Sequence, residues 1–139
     1  MINITEELQI EAMDLENAGI ASSTIKKALI QKGISKPLIK RVSIAVYEAE
    51  INVVIHSYGG VCTYTIDDDK IKVIFEDSGP GIPDIEQALQ PGYSTANQQA
   101  KCYGFGAGMG LMNIKNSSDE FNITSSPKGT TLEIIVNFN

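Results

Sequence analysis

The chain has 139 residues, 42% of them apolar and 20% charged, which is the size and make-up of one globular domain with its own core and excludes disordered and fibrous classes. Eleven basic against seventeen acidic residues give a formal net charge of −6, which argues against a nucleic-acid partner, since phosphate backbones are met by Lys/Arg surfaces. Aliphatic runs no longer than Val53–Val54–Ile55 exclude a membrane-spanning helix.

In chain order, INITEEL reads as an edge strand. Ser22, Ser23 and Thr24 offer N-cap oxygens to a helix with Ile25, Ala28 and Leu29 on one face, stopped by Gly33. A second helix begins after Ser35, with Pro37 in its first turn, where a missing N–H costs nothing. Leu38, Val42, Ala45, Val46, Ala49 and Val53 form its apolar stripe, and Tyr58-Gly59-Gly60 ends it near His56. VCTYTI (61–66) and KIKVIF (70–75), joined by Asp67-Asp68-Asp69, predict a hairpin. A Gly/Pro-rich loop, a short acidic helix over 84–89 and a polar stretch to Tyr103 follow, then a glycine cluster leading into a helix over 111–115. EFNITS and TTLEIIVNF flank the turn Pro127-Lys128-Gly129 as a closing hairpin. This order predicts a single α+β domain over 1–139, a two-layer α/β sandwich with helices on one face of a mixed, mostly antiparallel sheet.

No secretory signal is visible at the acidic N-terminus, and Cys62 and Cys102 make neither a disulfide framework nor a metal-ligand spacing. The expected setting is cytoplasmic. His56 reads as a helix-end histidine, and Cys62 as filler of strand space.

Three constellations carry chemistry. Glu48 and Asn52 are four residues apart on the second helix, one turn apart on nearly the same face. A carboxylate and a carboxamide so placed suit a general base and a hard oxygen ligand for Mg²⁺, although a plain surface pair has the same spacing. Asp77-Ser78-Gly79-Pro80-Gly81 follows the third strand: the acid can accept from a ligand amine and the glycines can lie close to a planar ligand, or the segment is an ordinary turn. Residues 104–110 hold four glycines, where composition predicts fewer than one. Bare N–H groups leading into a helix N-terminus make a phosphate cradle. The spacing fits neither a dinucleotide fingerprint nor a Walker loop.

Taken in order, these blocks resemble the Bergerat-fold (GHKL) ATPase superfamily that includes gyrase and the histidine kinases. YEAEINVVIH is similar to its N box, EDSGPGI to its first glycine box, GAGMGL to its second and PKGTT to its terminal G-T motif. The stretch IPDIEQALQPGYST resembles most closely the small bacterial serine kinases that act as anti-sigma factors or stressosome switch kinases.

That resemblance implies a Bergerat ATP-binding fold using ATP and Mg²⁺. Glu48 is implied as the catalytic base and Asn52 as the magnesium ligand, with Asp77 accepting the adenine amino group. Gly79, Gly81 and Ile82 would line the base and Thr130 would support it. Ser94 and Thr95 would lie in a lid over 82–103, while Gly104, Gly106, Gly108, Met109, Gly110 and Leu111 would bind phosphate. It implies a serine/threonine protein kinase that phosphorylates a STAS-domain antagonist and controls a sigma factor or phosphatase, with a homodimer left open. The alternatives are a non-catalytic ATP-binding partner-switching module and a stand-alone histidine-kinase catalytic domain. The latter is weakened because no dimerisation helix carrying a phosphoacceptor histidine is visible. Gyrase-type relatives need a transducer domain, for which 139 residues leave no room.

Overall fold

A computed structural model describes residues 4–80 and 110–139. Strand β1 (Ile4–Ile10) is followed by helices α1 (Ile20–Lys32) and α2 (Lys36–His56), then by strands β2 (Gly60–Ile66) and β3 (Lys70–Asp77). Helix α3 (Gly110–Ser117) precedes the closing hairpin of β4 (Glu120–Ser126) and β5 (Gly129–Asn137). The strands form one sheet in the order β1-β2-β3-β5-β4, and all its pairings are antiparallel.

Strand alternation sorts the sheet into two faces. Cys62, Tyr64 and Ile66 on β2, Ile71, Val73 and Phe75 on β3, and Leu132, Ile134 and Val136 on β5 are all buried. They meet α2, whose Val42, Ala45, Val46, Ala49 and Val53 are buried against them, with Ile25 and Leu29 of α1 and Ile114 of α3 closing the core. The helices therefore cover one face. Edge strand β1 is held to β2 by a buried phenol: Tyr64 Oη donates to Glu6 Oε2 over 2.6 Å.

The second helix starts behind Ser35 with Pro37 in its first turn and ends at His56, as its spacing predicts. Gly33, at φ 82°, takes the left-handed conformation that ends α1, and its amide returns to the Ile30 carbonyl. The start of α1 corrects the sequence expectation. Helix α1 begins at Ile20 behind Gly19, so Ser22, Ser23 and Thr24 lie inside the helix rather than at its cap.

The cap comes from elsewhere in the chain. The Glu50 carboxylate, 3% exposed, accepts from the Ala21 amide at 3.1 Å and the Ser22 amide at 3.2 Å. A negative group there satisfies two orphan donors and complements the helix dipole. Glu50→Ala should lower stability by about 2 kcal/mol, the order expected for losing charge-assisted bonds and leaving buried amides unpaired. Glu50→Gln should cost less because it keeps one acceptor oxygen. Urea unfolding followed by circular dichroism measures both.

Candidate functional site

Helix α2 is enclosed by α1, α3 and the sheet, which leaves only a strip of its surface near solvent. Glu48 and Asn52 lie on that strip, each half-buried. Burial pushes the Glu48 carboxyl above the usual glutamate range, and a hydrogen bond with the Asn113 side chain pulls it partly back. Asn113 stands in the first turn of α3, three residues after Gly110, so the end of the glycine cluster and the N-terminus of α3 are brought beside Glu48. Leu111 is 6% exposed and packs in the core, so its side chain anchors α3.

Asp77 is the last residue of β3 and lies on the helix-covered side, in phase with Val73 and Phe75. Its Oδ1 accepts from the Thr130 amide at 3.0 Å. Burial raises its carboxyl above the usual aspartate range, and the Thr130 bond works in the opposite direction. Thr130 is itself 9% exposed, and its hydroxyl shares a 2.7 Å hydrogen bond with Ser125.

The segment after Asp77 is latched from both sides. The Ser78 amide donates to the Gly59 carbonyl at 3.1 Å, the Tyr58 amide donates to the Ser78 carbonyl at 2.8 Å, and the Gly79 amide donates to the Lys128 carbonyl at 3.2 Å. Close approach explains two glycines here. A Cβ on Gly79 would meet Ser57 Cα at 3.1 Å, and one on Gly129, which has φ 154°, would run into the Asp77 carbonyl. The G-T turn is thus pressed directly onto the acid, and Ser57, the C-cap of α2, abuts Gly79. Asp77 and the last turns of α2 are neighbours for that reason.

The structure therefore joins Glu48 to α3 and Asp77 to Thr130, with α2 running between the two pairs. Gly81, Ile82, Ser94, Thr95, Gly104, Gly106, Gly108 and Met109, with the acidic helix over 84–89, the lid over 82–103 and Cys102, lie outside the described residues. Sequence reasoning missed Asn113 and Glu50. Asn113 had a signal, being one turn into the helix that the glycines introduce. Glu50 had none, because its partners are 28 and 29 residues away.

The donor set suits a metal-bound polyphosphate. A desolvated carboxylate and a carboxamide lie one turn apart on α2, with a helix N-terminus alongside. Among the described residues no cluster of three or more His, Cys, Asp or Glu could hold a metal ion by itself. No described helix is long and apolar enough to cross a membrane.

Comparison with known proteins bears on the same residues. The pattern describing the histidine kinase-like ATPase domain matches residues 12–136. The anti-sigma F factor of Bacillus licheniformis is 30% identical over 126 residues, covering 86% of this chain and 83% of that protein. The anti-sigma F factor of Bacillus subtilis (strain 168) is 29% identical over 136 residues, covering 92% and 90%. The serine/threonine-protein kinase RsbT of Bacillus subtilis (strain 168) is 39% identical over 66 residues, 47% of this chain and 44% of that one. Among solved structures, the crystal structure of the RsbU and RsbW domains of a Mycobacterium tuberculosis protein matches with a TM-score of 0.66 at 16% identity. It covers 96% of this chain and 32% of that one, and so supports the fold.

A stability prediction follows from the raised Glu48 pKa. A carboxyl whose folded pKa lies above its unfolded value supports the fold below the unfolded pKa and loses that support as pH rises through the folded one. Glu48→Gln should therefore raise the melting temperature of the ligand-free protein at pH 7.5, and the gain should vanish towards pH 4. Thermal melts at the two pH values test the sign.

Proposed function

The chain belongs to the histidine kinase-like ATPase domain family, and from that premise we propose that it is an ATP-dependent serine/threonine protein kinase that regulates by partner switching. The observation that carries this reading is Glu48: a carboxylate made more basic by burial, one turn from Asn52 and beside the N-terminus of α3. The names of the relatives support it, since one is called a serine/threonine-protein kinase and the others anti-sigma factors.

In this mechanism Asp77, fixed by the Thr130 amide, accepts the exocyclic amine of adenine, and its depth among buried neighbours selects a base that donates at that position. Asn52 would hold Mg²⁺, which supplies charge neutralisation across the triphosphate. The N-terminus of α3 faces developing negative charge with its free amides. Glu48 takes the proton from the hydroxyl of the target residue as the oxygen forms its bond to the γ-phosphorus and the bond to the ADP oxygen breaks. Phosphoryl transfer of this kind rests on positioning and electrostatic stabilisation, so a correctly held base and metal suffice. The partner would be a STAS-type antagonist, with a sigma factor or phosphatase as the regulated protein.

Labelled ATP and purified STAS proteins provide the test. Acid-stable phosphoserine or phosphothreonine is the expected product; acid-labile label would point to a histidine kinase instead. Glu48→Gln should lower transfer by at least about 100-fold, the lower end of general-base contributions, while nucleotide still binds. Asp77→Asn keeps an acceptor for the Thr130 amide but presents an amide in place of a carboxylate, so it should lose adenine nucleotide binding with little change in melting temperature. The wild-type rate should fall on acidification with a midpoint above the ordinary glutamate range, because the base must be ionised and burial raises its pKa. Nucleotide binding that persists with no transfer to any STAS protein would favour a non-catalytic module.

A further inference from the structure

On the face of the sheet turned away from the helices lies an open groove of about 620 Å³, which borders Asp77 at the end of β3 but includes neither Glu48, Asn52 nor the N-terminus of α3. Its walls come from β1, from the turn after α2 and from the far end of β3. Gln9 of β1, Val61 of β2 and Glu76 of β3 lie in one cross-strand row, with Glu7 opposite Thr63 in the next. Their sequence neighbours Ile10, Cys62 and Phe75 are buried, so strand alternation puts Glu7, Val61 and Glu76 on the outer face. Glu11 and Tyr58 complete the rim, and the Tyr58 side chain is among the most exposed apolar groups of the described residues, at 75%.

The groove has one sign of charge. Glu7, Glu11 and Glu76 are exposed, and no Lys, Arg or His is among the lining residues. The ion pairs of the described residues, Lys32–Asp68, Arg41–Asp119 and Lys72–Glu133, involve none of the three. A metal ion does not fit: β2 separates Glu7 from Glu76, which puts them on strands about 10 Å apart, and no metal-holding cluster is found among the described residues. A second copy of this chain would bring acid against acid and carries −6 itself.

We propose that this groove docks an extended, arginine-bearing segment of a partner protein. Spaced carboxylates across two rows suit spaced guanidinium groups, the Val61 floor suits an aliphatic side chain between them, and the open Tyr58 ring suits stacking by a guanidinium. Low-dielectric walls of one sign also focus the field that steers such a segment in. The proposal goes beyond the kinase reading and does not depend on it, because no nucleotide or transfer step enters the test.

The probe is a fluorescein-labelled peptide of alternating Arg and Val, compared with its Glu/Val counterpart, titrated into the full chain and read by anisotropy. The expected result is saturable binding of the basic peptide alone, with amide shifts in ¹⁵N spectra confined to residues 7–12, 58–63 and 76–78. The double variant Glu7→Lys/Glu76→Lys should weaken binding roughly tenfold or more. The control Asp69→Lys/Glu120→Lys changes net charge by the same amount at positions outside the groove, and should leave affinity within about twofold at physiological salt, where charges more than about 8 Å away are screened. Tyr58→Ala should weaken binding several-fold, and melting curves establish that each variant is folded. Equal weakening in both double variants would show attraction to net charge alone and overturn the proposal. So would absence of binding, unchanged affinity in the Glu7→Lys/Glu76→Lys variant, or shifts that appear on concentrating the protein without peptide.

Discussion

The central helix has to bury itself on three sides, and the chemistry of the molecule is arranged in what that leaves. Ile39, Val42, Ala45, Val46, Ala49, Glu50, Ile51, Val53 and Val54 of α2 are all buried, against two helices and a sheet. A helix enclosed in this way offers polar side chains only a narrow strip at the seam with α3. Glu48 and Asn52 occupy it, and their partial desolvation is a direct result of the packing. The electrostatic cost of a half-buried carboxylate is borne by the core around it, which is why a stable sandwich is the precondition for a carboxyl held above the usual glutamate range.

A second constraint fixes the other half of the site. Asp77 could swing freely at the end of a strand, but the β4–β5 turn is pressed onto it and donates the Thr130 amide, while the Ser78 and Gly79 amides tie the following residues to neighbouring turns. Three separate stretches of chain, at 57–60, 77–79 and 128–130, meet there through backbone bonds. Backbone donors and acceptors do not rotate away as side chains do, so the carboxylate is preorganised without an ion pair.

Much of this was legible in the sequence because it is local. The 3.6-residue spacing of Val42, Ala45, Val46, Ala49 and Val53, the Pro37 start and the Tyr58-Gly59-Gly60 stop define α2 within a few residues of where it lies. The alternation in KIKVIF and the triple aspartate define the hairpin of β2 and β3, and in the turn Asp67 does accept the Asp69 and Lys70 amides. The spacing of Glu48 and Asn52, and the position of Asp77 at a strand end, are local too. What escaped was long-range. Ser22, Ser23 and Thr24 have the composition of a helix cap, yet Gly19 can adopt φ 107° beside the Tyr47 ring and a carboxylate from α2 takes over the capping, so the helix starts earlier. The contact of Asn113 with Glu48 depends on how α3 packs on α2, and no spacing within either helix announces it.

Glu48 and Glu50 show how far identical chemistry is separated by position. Two residues apart on a helix, they point about 200° from one another. Glu50 turns towards the start of α1, meets two backbone amides and is 3% exposed; each oxygen accepts one amide, and the carboxylate holds the two helices together. Glu48 turns towards α3, meets one side-chain amide, and keeps a route to solvent. Burial lifts the Glu48 carboxyl above the usual glutamate range against the opposing Asn113 bond. Position on the helix, rather than residue type, thus decides which of the two acids fastens α1 to α2 and which faces the seam with α3.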